Sequence, residues 1–598
     1  MPAPATGKAK PATGHGIDAW ANLRLHSPFF CYSSPNSHMS NSFPAREHAA
    51  TASVASPVDS SLYRGLTAPR TLTVLVLVSV ILRLWAYLAD TALYLDEILL
   101  SHNILNLPLV DLLTRPLALD QVAPLGFLLV ERCAVTMFGH NEFALRLFPF
   151  LCAILSLLLF RRLAERTLTG AGPAVALFAF AIGFPFIRYA VVVKQYELDV
   201  LAAVVLMLIA CNLRDGPATT KRLILFGLAG FAVISFSQAS VLVMAGLGLA
   251  FAVDWLLSRD RNALRALLTT VPLWAAASIV AVIIGIRSMT PSTRTFMDDF
   301  WAGGFLPLPF RGMSALRWFW ESLTSLFSDV TLLRYRWPVV FVIFALLGVM
   351  ALWRHSRSRA LFLLCQFTLA IVAAVAQQYP LRGRLALWLI PAALLAVAAG
   401  VEWMRATASS LHPSGGVVGA ILIAALLVPP VIALAEAPPP YEIEHHKDFL
   451  GYLQKNRRPG DVVYVFPLPS VGVRFYGPRF GLQRSDWTES ICDRNETRPY
   501  LKDIDRFRGA PRLWIITGGS RPFRFARAAI LNYLGTIGKR TDLLSFPSAT
   551  YGSITIELYD LSDRNLLSHA DAETFPAPHM ATDPRPGCRE WLSHWPGE

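Results

Sequence analysis

Apolar residues in this chain come in long unbroken runs, not in the short alternations of a water-facing surface. Eleven runs approach the roughly 20 residues that a helix needs to cross a hydrocarbon layer of about 30 Å. They fall near 71–89, 143–160, 173–188, 198–213, 223–236, 241–257, 266–286, 338–353, 360–376, 385–403 and 416–434, the two nearest residue 240 reading equally as one broken helix. Residues 1–70, rich in Pro, Ala, Ser and Thr, predict a disordered N-terminal leader. After Pro438-Pro439-Pro440 the pattern changes to a helix over His445–Arg458, strands at Asp461–Phe466, Leu513–Thr517 and Ile554–Leu558, and an amphipathic helix over Arg521–Leu534. Strands alternating with helices predict a small α/β domain over 438–598. Its Gly518-Gly519 turn is not a GxGxxG loop, so no nucleotide is assigned to it.

The polar positions between the runs carry orientation. Basic residues cluster in alternate connections: Arg161, Arg162 and Arg166; Arg214, Lys221 and Arg222; Arg259, Arg261 and Arg265; Arg354, Arg357 and Arg359; and Arg405. The positive-inside rule makes these the cytoplasmic loops, with the N-terminus cytoplasmic and, after an odd number of spans, the C-terminal domain outside. The connections at 90–142, 189–197, 287–337 and 377–384 then lie on the outer side.

Composition agrees. Of 598 residues, 54% are hydrophobic and only 16% charged, against about 25% charged in soluble domains. That excludes an ordinary cytosolic enzyme, a disordered protein and a disulfide-framed miniprotein. The net charge of +13 follows the loop pattern, so the anionic partner is membrane lipid and not nucleic acid. The seven cysteines have no metal-ligand spacing. Cys133, Cys152, Cys211 and Cys365 read as small core residues, and Cys492 and Cys588 are able to pair, or not, if their region is extracytoplasmic. The fold class expected is a polytopic α-helical membrane protein of about eleven transmembrane helices with a small C-terminal extracytoplasmic α/β domain.

Chemistry is expected in the outer loops. The first opens with Tyr94-Leu95-Asp96-Glu97. Adjacent carboxylates at a membrane surface either favour a helix N-terminus or include a general base facing a cavity, and neighbours on a helix point in different directions, so only one serves as that base. Short interfacial helices follow over Ile98–Leu113 and Pro124–Phe138. The outward loop Gln377–Arg384 carries Arg382 and Arg384 against the charge pattern, which is unfavourable unless it binds something anionic. Lys194 reads either as a headgroup-snorkelling lysine or as an anion contact.

Asp96-Glu97 after the first span, interfacial helices with a Pro124-Leu125 segment, and then Phe138-Gly139-x-x-Glu142-x-x-x-Arg146 form an ordered set. That order resembles the lipid-linked-sugar glycosyltransferases of the GT-C superfamily, in particular the bacterial protein-mannosyltransferase and aminoarabinose-transferase-like group (glycosyltransferase family 39 and its relatives). The resemblance covers about residues 71–400. It implies a GT-C-like transmembrane domain over 71–437, with periplasmic loops at 90–142 and 287–337, in a bacterial inner membrane. It further implies transfer of a hexosyl or pentosyl unit from a polyprenyl-phosphate donor to an extracytoplasmic glycan, lipid or protein, without a cofactor. Asp96 would be the general base, with Glu97 as neighbour or alternate. Lys194, Arg382 and Arg384 would contact the donor phosphate, whose departure as an anion calls for cations. Glu197, Asp199, Asp298 and Asp299 are candidates for second acidic groups. One departure stands out: Gln121-Val122-Ala123-Pro124 replaces the Glu-Lys-Pro-Pro-like segment of the aminoarabinose relatives, so neither a metal nor that sugar is assigned. The competing classes are a transporter or flippase and a non-catalytic polysaccharide assembly or export protein. A transporter would more often show inverted repeats and charge at the bilayer midplane, whereas here the charge sits in the loops.

Overall fold

The computed structural model describes residues 63–412, 415–493, 495–518, 523–548 and 552–578. The expected leader lies mostly outside them, as does Cys588, and the first span begins at Pro69. Among the described residues nine helices are long and apolar enough to cross a membrane, and the pair Gly172–Ile182 and Phe184–Val191, bent by 52°, makes a tenth. The chain is a multi-pass membrane protein.

The eleventh expected run is the helix Thr220–Ile234, of 15 residues, about 22 Å long at the helical rise and so short of a full hydrocarbon layer. It still runs from the Arg214–Arg222 connection to Ser235, whose carbonyl accepts the amide of Gly126 in the first long loop at 2.7 Å. It is therefore separate from Ser240–Ser258 and not half of one broken helix.

The spans hold together by satisfying backbone groups and by close approach. Where the third span breaks at Gly183, the carbonyls of Phe180 and Ala181 lose their helical partners. Arg83, fully buried in the first span, donates to both at 3.2 and 3.0 Å, and Ser79 Oγ donates to Ala181 at 3.0 Å. Irregular backbone inside a bilayer persists only with such substitutes. Elsewhere Gly348 and Gly400 let the helices Pro338–His355 and Ile390–Leu411 cross in backbone contact: a Cβ on Gly400 would overlap the Phe344 carbonyl, and one on Gly348 the Ala396 carbonyl. This is the small-residue crossing that replaces hydrophobic driving force within lipid.

The basic connections share one end of the bundle. Asp215 pairs with Arg359 at 3.0 Å and Arg166 at 3.8 Å, while Arg214 pairs with Asp254 at 3.4 Å and with Asp260. Gly170 abuts Glu402, which holds Arg405 at 2.8 Å. The loops at 90–142, 287–337 and 377–384 gather at the opposite end.

The C-terminal domain carries five strands, β1 Val462–Val465, β2 Thr488–Glu489, β3 Leu513–Gly518, β4 Lys539–Ser548 and β5 Gly552–Asp560, in the order β2-β1-β3-β5-β4. β1 pairs in parallel with β2 and β3, whereas β5 is antiparallel to β3 and β4. The expected strands are β1, β3 and β5; the expected helices appear at His446–Asn456 and Arg524–Ile537. β4 is an edge strand with alternating exposure and a proline, and its polar sequence gave no strand signal. The domain and the first long loop share one apolar core, in which Leu93, Ile98, Phe127 and Leu128 pack with Phe449, Tyr464, Tyr476 and Ile515. The expected helix Ile98–Leu113 is broken at Leu107-Pro108 into Leu95–Asn106 and Leu109–Thr114, because proline ends the hydrogen-bond ladder. Cys152, Cys211 and Cys365 are buried, but Cys133 is exposed and is not a core residue.

Replacing Gly400 by leucine should force the two helices apart and lower stability by about 1–3 kcal/mol; thermal unfolding in detergent measures it, and an unchanged midpoint would argue against the crossing.

Candidate active site

The helix Leu95–Asn106 begins with a capping box in which Glu97 accepts the Tyr94 amide at 3.2 Å. The other oxygen of Glu97 accepts the amide of Val193 at 2.8 Å, and Arg146 approaches at 3.6 Å. Glu97 is buried and fully engaged in joining the first loop to the 189–197 connection. Burial pushes its carboxyl up, against the pull of Arg146 and the two amides. Arg146 also donates to the carbonyls of Thr91 and Ala92 at 2.8 and 3.3 Å. Glu142, the other charged residue of the Phe-Gly-x-x-Glu-x-x-x-Arg segment, takes Arg479 at 2.8 Å and Lys447 at 3.2 Å. Gly139, at φ 90°, makes the left-handed turn that separates this segment from the preceding helix.

Asp96, one position earlier, turns the other way. Its carboxylate pairs with the guanidinium of Arg384, 288 residues distant in the chain, and the two side chains are 29% and 21% exposed. Arg384 is aimed by the turn before the last but one span. There Gly383, at φ 53°, lies against Thr331 and Asp329, and the ring centres of Trp301 and Tyr196 stand 5.5 and 5.7 Å from the Arg384 guanidinium carbon. The Nε of Arg384 has no acceptor among the described residues.

Lys194 completes a cluster of one carboxylate and two cations. Its ammonium is buried and donates to Gln121 Oε1 at 2.7 Å. Burial pulls the Lys194 amine down to about 8, partly offset by the field of Asp96. Burial also works to raise Asp96, but Arg384 and Lys194 outweigh it and hold the carboxyl below its ordinary value. The carboxylate is thus ionised at neutral pH, partly open to solvent and backed by cations.

The remaining sequence candidates lie elsewhere. Arg382 is exposed, folded against Gly303 on the neighbouring turn. Asp298 and Asp299 are exposed on the helix Pro291–Trp301, whose last residue reaches Arg384 although they do not. Glu197 and Asp199 are buried at the head of the fourth span, where Asp199 accepts Ser237 Oγ at 2.6 Å. Neither pairs with Arg384 or Lys194 among the described residues. Sequence reasoning missed Gln121, Tyr196 and Trp301 as site residues. Gln121 had a signal, since it stands in the segment that departs from the aminoarabinose relatives; the two aromatics had none, because ring contacts across loops leave no local pattern.

Glu442, His445 and Asp448 bring three metal-compatible ligand atoms within 4.8 Å of one another. They are already engaged: Glu442 accepts the Ala92 amide at 3.2 Å, and His445 Nδ1 lies 2.8 Å from Asp448.

No family model and no curated protein matches the chain. Among solved structures it is similar to the apo oligosaccharyltransferase of Archaeoglobus fulgidus, with 12% identity and a TM-score of 0.44, over 79% of this chain and 73% of that one. It is also similar to the same organism's oligosaccharyltransferase AglB in complex with an inhibitory peptide and a dolichol-phosphate, with 11% identity and a TM-score of 0.43, over 81% and 73% of the two chains. A third is ArnT from Cupriavidus metallidurans in the apo state, with 12% identity and a TM-score of 0.42, over 83% of this chain and 98% of that one. Likeness at this level leaves the chemistry to the residues themselves.

Lys194 is charged below about pH 8 and loses its proton above it. Affinity of this cluster for an anion should therefore fall as pH rises from about 7 to about 9, and Lys194→Gln should remove that step. Binding of inorganic phosphate measured in detergent across this range is the check; equal slopes in both proteins would count against Lys194 as an anion contact.

Proposed function

We propose that the chain is an integral-membrane glycosyltransferase of the GT-C type. In this reading it moves a monosaccharide from a polyprenyl-phosphate donor to an extracytoplasmic glycan, lipid or protein acceptor. The observation that carries the reading is the ion pair between Asp96 and Arg384, with Lys194 beside it, at the bundle end opposite the basic connections.

Asp96 takes the proton from the acceptor hydroxyl as the new glycosidic bond forms at the sugar's anomeric carbon. The bond from that carbon to the phosphate oxygen breaks, and its electron pair leaves with the polyprenyl phosphate. Arg384 and Lys194 hold that charge, so the leaving group departs as an anion without a protonating acid. Glycosyl transfer with inversion needs the base on the face of the sugar opposite the leaving group. A site with one open carboxylate fits it better than one with a close carboxylate pair. Before the donor arrives, Arg384 keeps Asp96 ionised but weakly basic. Once the guanidinium engages phosphate, its grip on Asp96 slackens and the carboxylate regains basicity.

Orientation follows from charge and redox state. The arginine-rich end faces the cytoplasm of a bacterial inner membrane, which puts the Asp96 end and the C-terminal domain on the periplasmic side. The disulfide at Cys492 supports this, since such bonds persist in oxidising compartments; Cys588, its expected partner, lies outside the described residues.

Asp96→Asn, inserted normally, should lower release of undecaprenyl phosphate from endogenous lipid-linked sugar in membrane vesicles by about 10²–10⁴-fold, and surface glycans and lipids of a complemented deletion strain should lose the transferred sugar. Full turnover in that variant would sink the assignment. Arg384→Ala should raise KM for the donor more than for the acceptor; the reverse order would remove Arg384 from the phosphate site.

A further inference from the structure

We infer that the C-terminal domain is part of the catalytic apparatus, with Glu444 as a positioning residue that, together with Glu442 and Tyr476, fixes the backbone carrying Asp96. The inference rests on Asp96 as the base.

Residues 90–95 link the first span to the helix that bears Asp96. The strip leading into that helix is buried at Ala92, Leu93 and Tyr94, 4%, 0% and 6% exposed, and the partly buried Leu95 amide that follows stands at the helix N-terminus, where it has no intrahelical acceptor. Buried amides need partners. Apart from the capping bond from Glu97, these come from two segments of the C-terminal domain. The Ala92 amide donates to Glu442 Oε1 at 3.2 Å, the Leu93 amide to Tyr476 Oη at 2.8 Å, and the Leu95 amide to Glu444 Oε2 at 3.2 Å. Lys447 Nζ donates to the Asp90 carbonyl at 2.8 Å.

The clamp is itself braced. Glu444 is fully buried, and a buried carboxylate is costly unless hydrogen-bonded. Its Oε2 accepts from Leu95 and lies 2.7 Å from His446 Nε2. The His446 ring rests on the helix Pro467–Tyr476 where Gly472 has no side chain, and a Cβ there would overlap the imidazole. The Tyr476 hydroxyl also faces the charge of Glu142, which Arg479 and Lys447 hold. Arg146 grips the carbonyls of the same strip from the membrane side. A domain that served only to bind an acceptor would not need to commit one fully buried and one partly buried carboxylate to the amides of the strip leading to Asp96. With Leu95 loosened, the neighbouring carboxyl leaves Arg384, and small misplacements of a catalytic group carry large rate costs.

The test uses the full chain in detergent and in membrane vesicles. Glu444→Ala should raise amide hydrogen exchange over residues 92–99 and lower kcat by roughly 10–100-fold. Binding of undecaprenyl phosphate should stay unchanged, since Arg384 and Lys194 stand on other loops. Glu444→Gln keeps an oxygen for the Leu95 amide and should restore most of both losses. Protection over 513–518 reports whether the domain remains folded; if Glu444→Ala loses it, Tyr476→Phe, which removes a single acceptor, carries the test. Unchanged exchange over 92–99, or raised exchange with unchanged turnover, overturns the inference. Asp96→Asn run in parallel separates the two ideas: turnover retained there fails the base assignment, while exchange still decides the clamp.

Discussion

A carboxylate and a guanidinium from opposite halves of the membrane domain meet at one point, and the rest of the molecule exists to let them. Neither Asp96 nor Arg384 is free in water, and taking either charge out of it alone is expensive. Each is tolerable because the other is there, with Lys194 adding a second cation. Their meeting requires the loop after the first span and the turn before Gly383–Leu411 to arrive at the same end of the bundle, at the same depth. That in turn depends on the glycine crossing at Gly348 and Gly400 and on the Arg83 repair of the broken third span.

The membrane spans were legible because lipid imposes a demand that only long apolar helices meet. The connections were legible because charge obeys a sided rule. What was not legible depended on approach between distant segments. The sequence places Asp96 and Glu97 side by side with the same acidic chemistry; the fold turns one towards Arg384 and the other onto the amide of Val193. Gln121 read as a departure from a family pattern, yet its oxygen holds the Lys194 ammonium. The strand β4 escaped notice since an edge position permits proline and exposed charge. Glu442 and Glu444 looked like ordinary polar residues at a domain boundary, whereas they are acceptors for amides some 350 residues earlier.

The cationic turn at 377–384 was a clue because two arginines in so short an outward connection run against the sided charge rule. The structure divides its two arginines. Arg384 is enclosed by Trp301 and Tyr196 and spends its charge on Asp96. Arg382 stays at the surface over Gly303. Equal letters in one loop thus stand in unlike dielectric surroundings, and only the enclosed one is a strong electrostatic actor.

The apolar core common to the first long loop and the C-terminal domain has a consequence for biosynthesis. Leu93 and Ile98 emerge from the ribosome early, yet Phe449, Tyr464 and Ile515 must be made before that core can close. With some 350 residues between Ala92 and Glu442, elongation at about 5–20 residues per second imposes a wait on the order of tens of seconds. Until then the polypeptide is an inserted bundle with an unfinished roof, and the backbone beside Asp96 lacks these partners until the tail comes home.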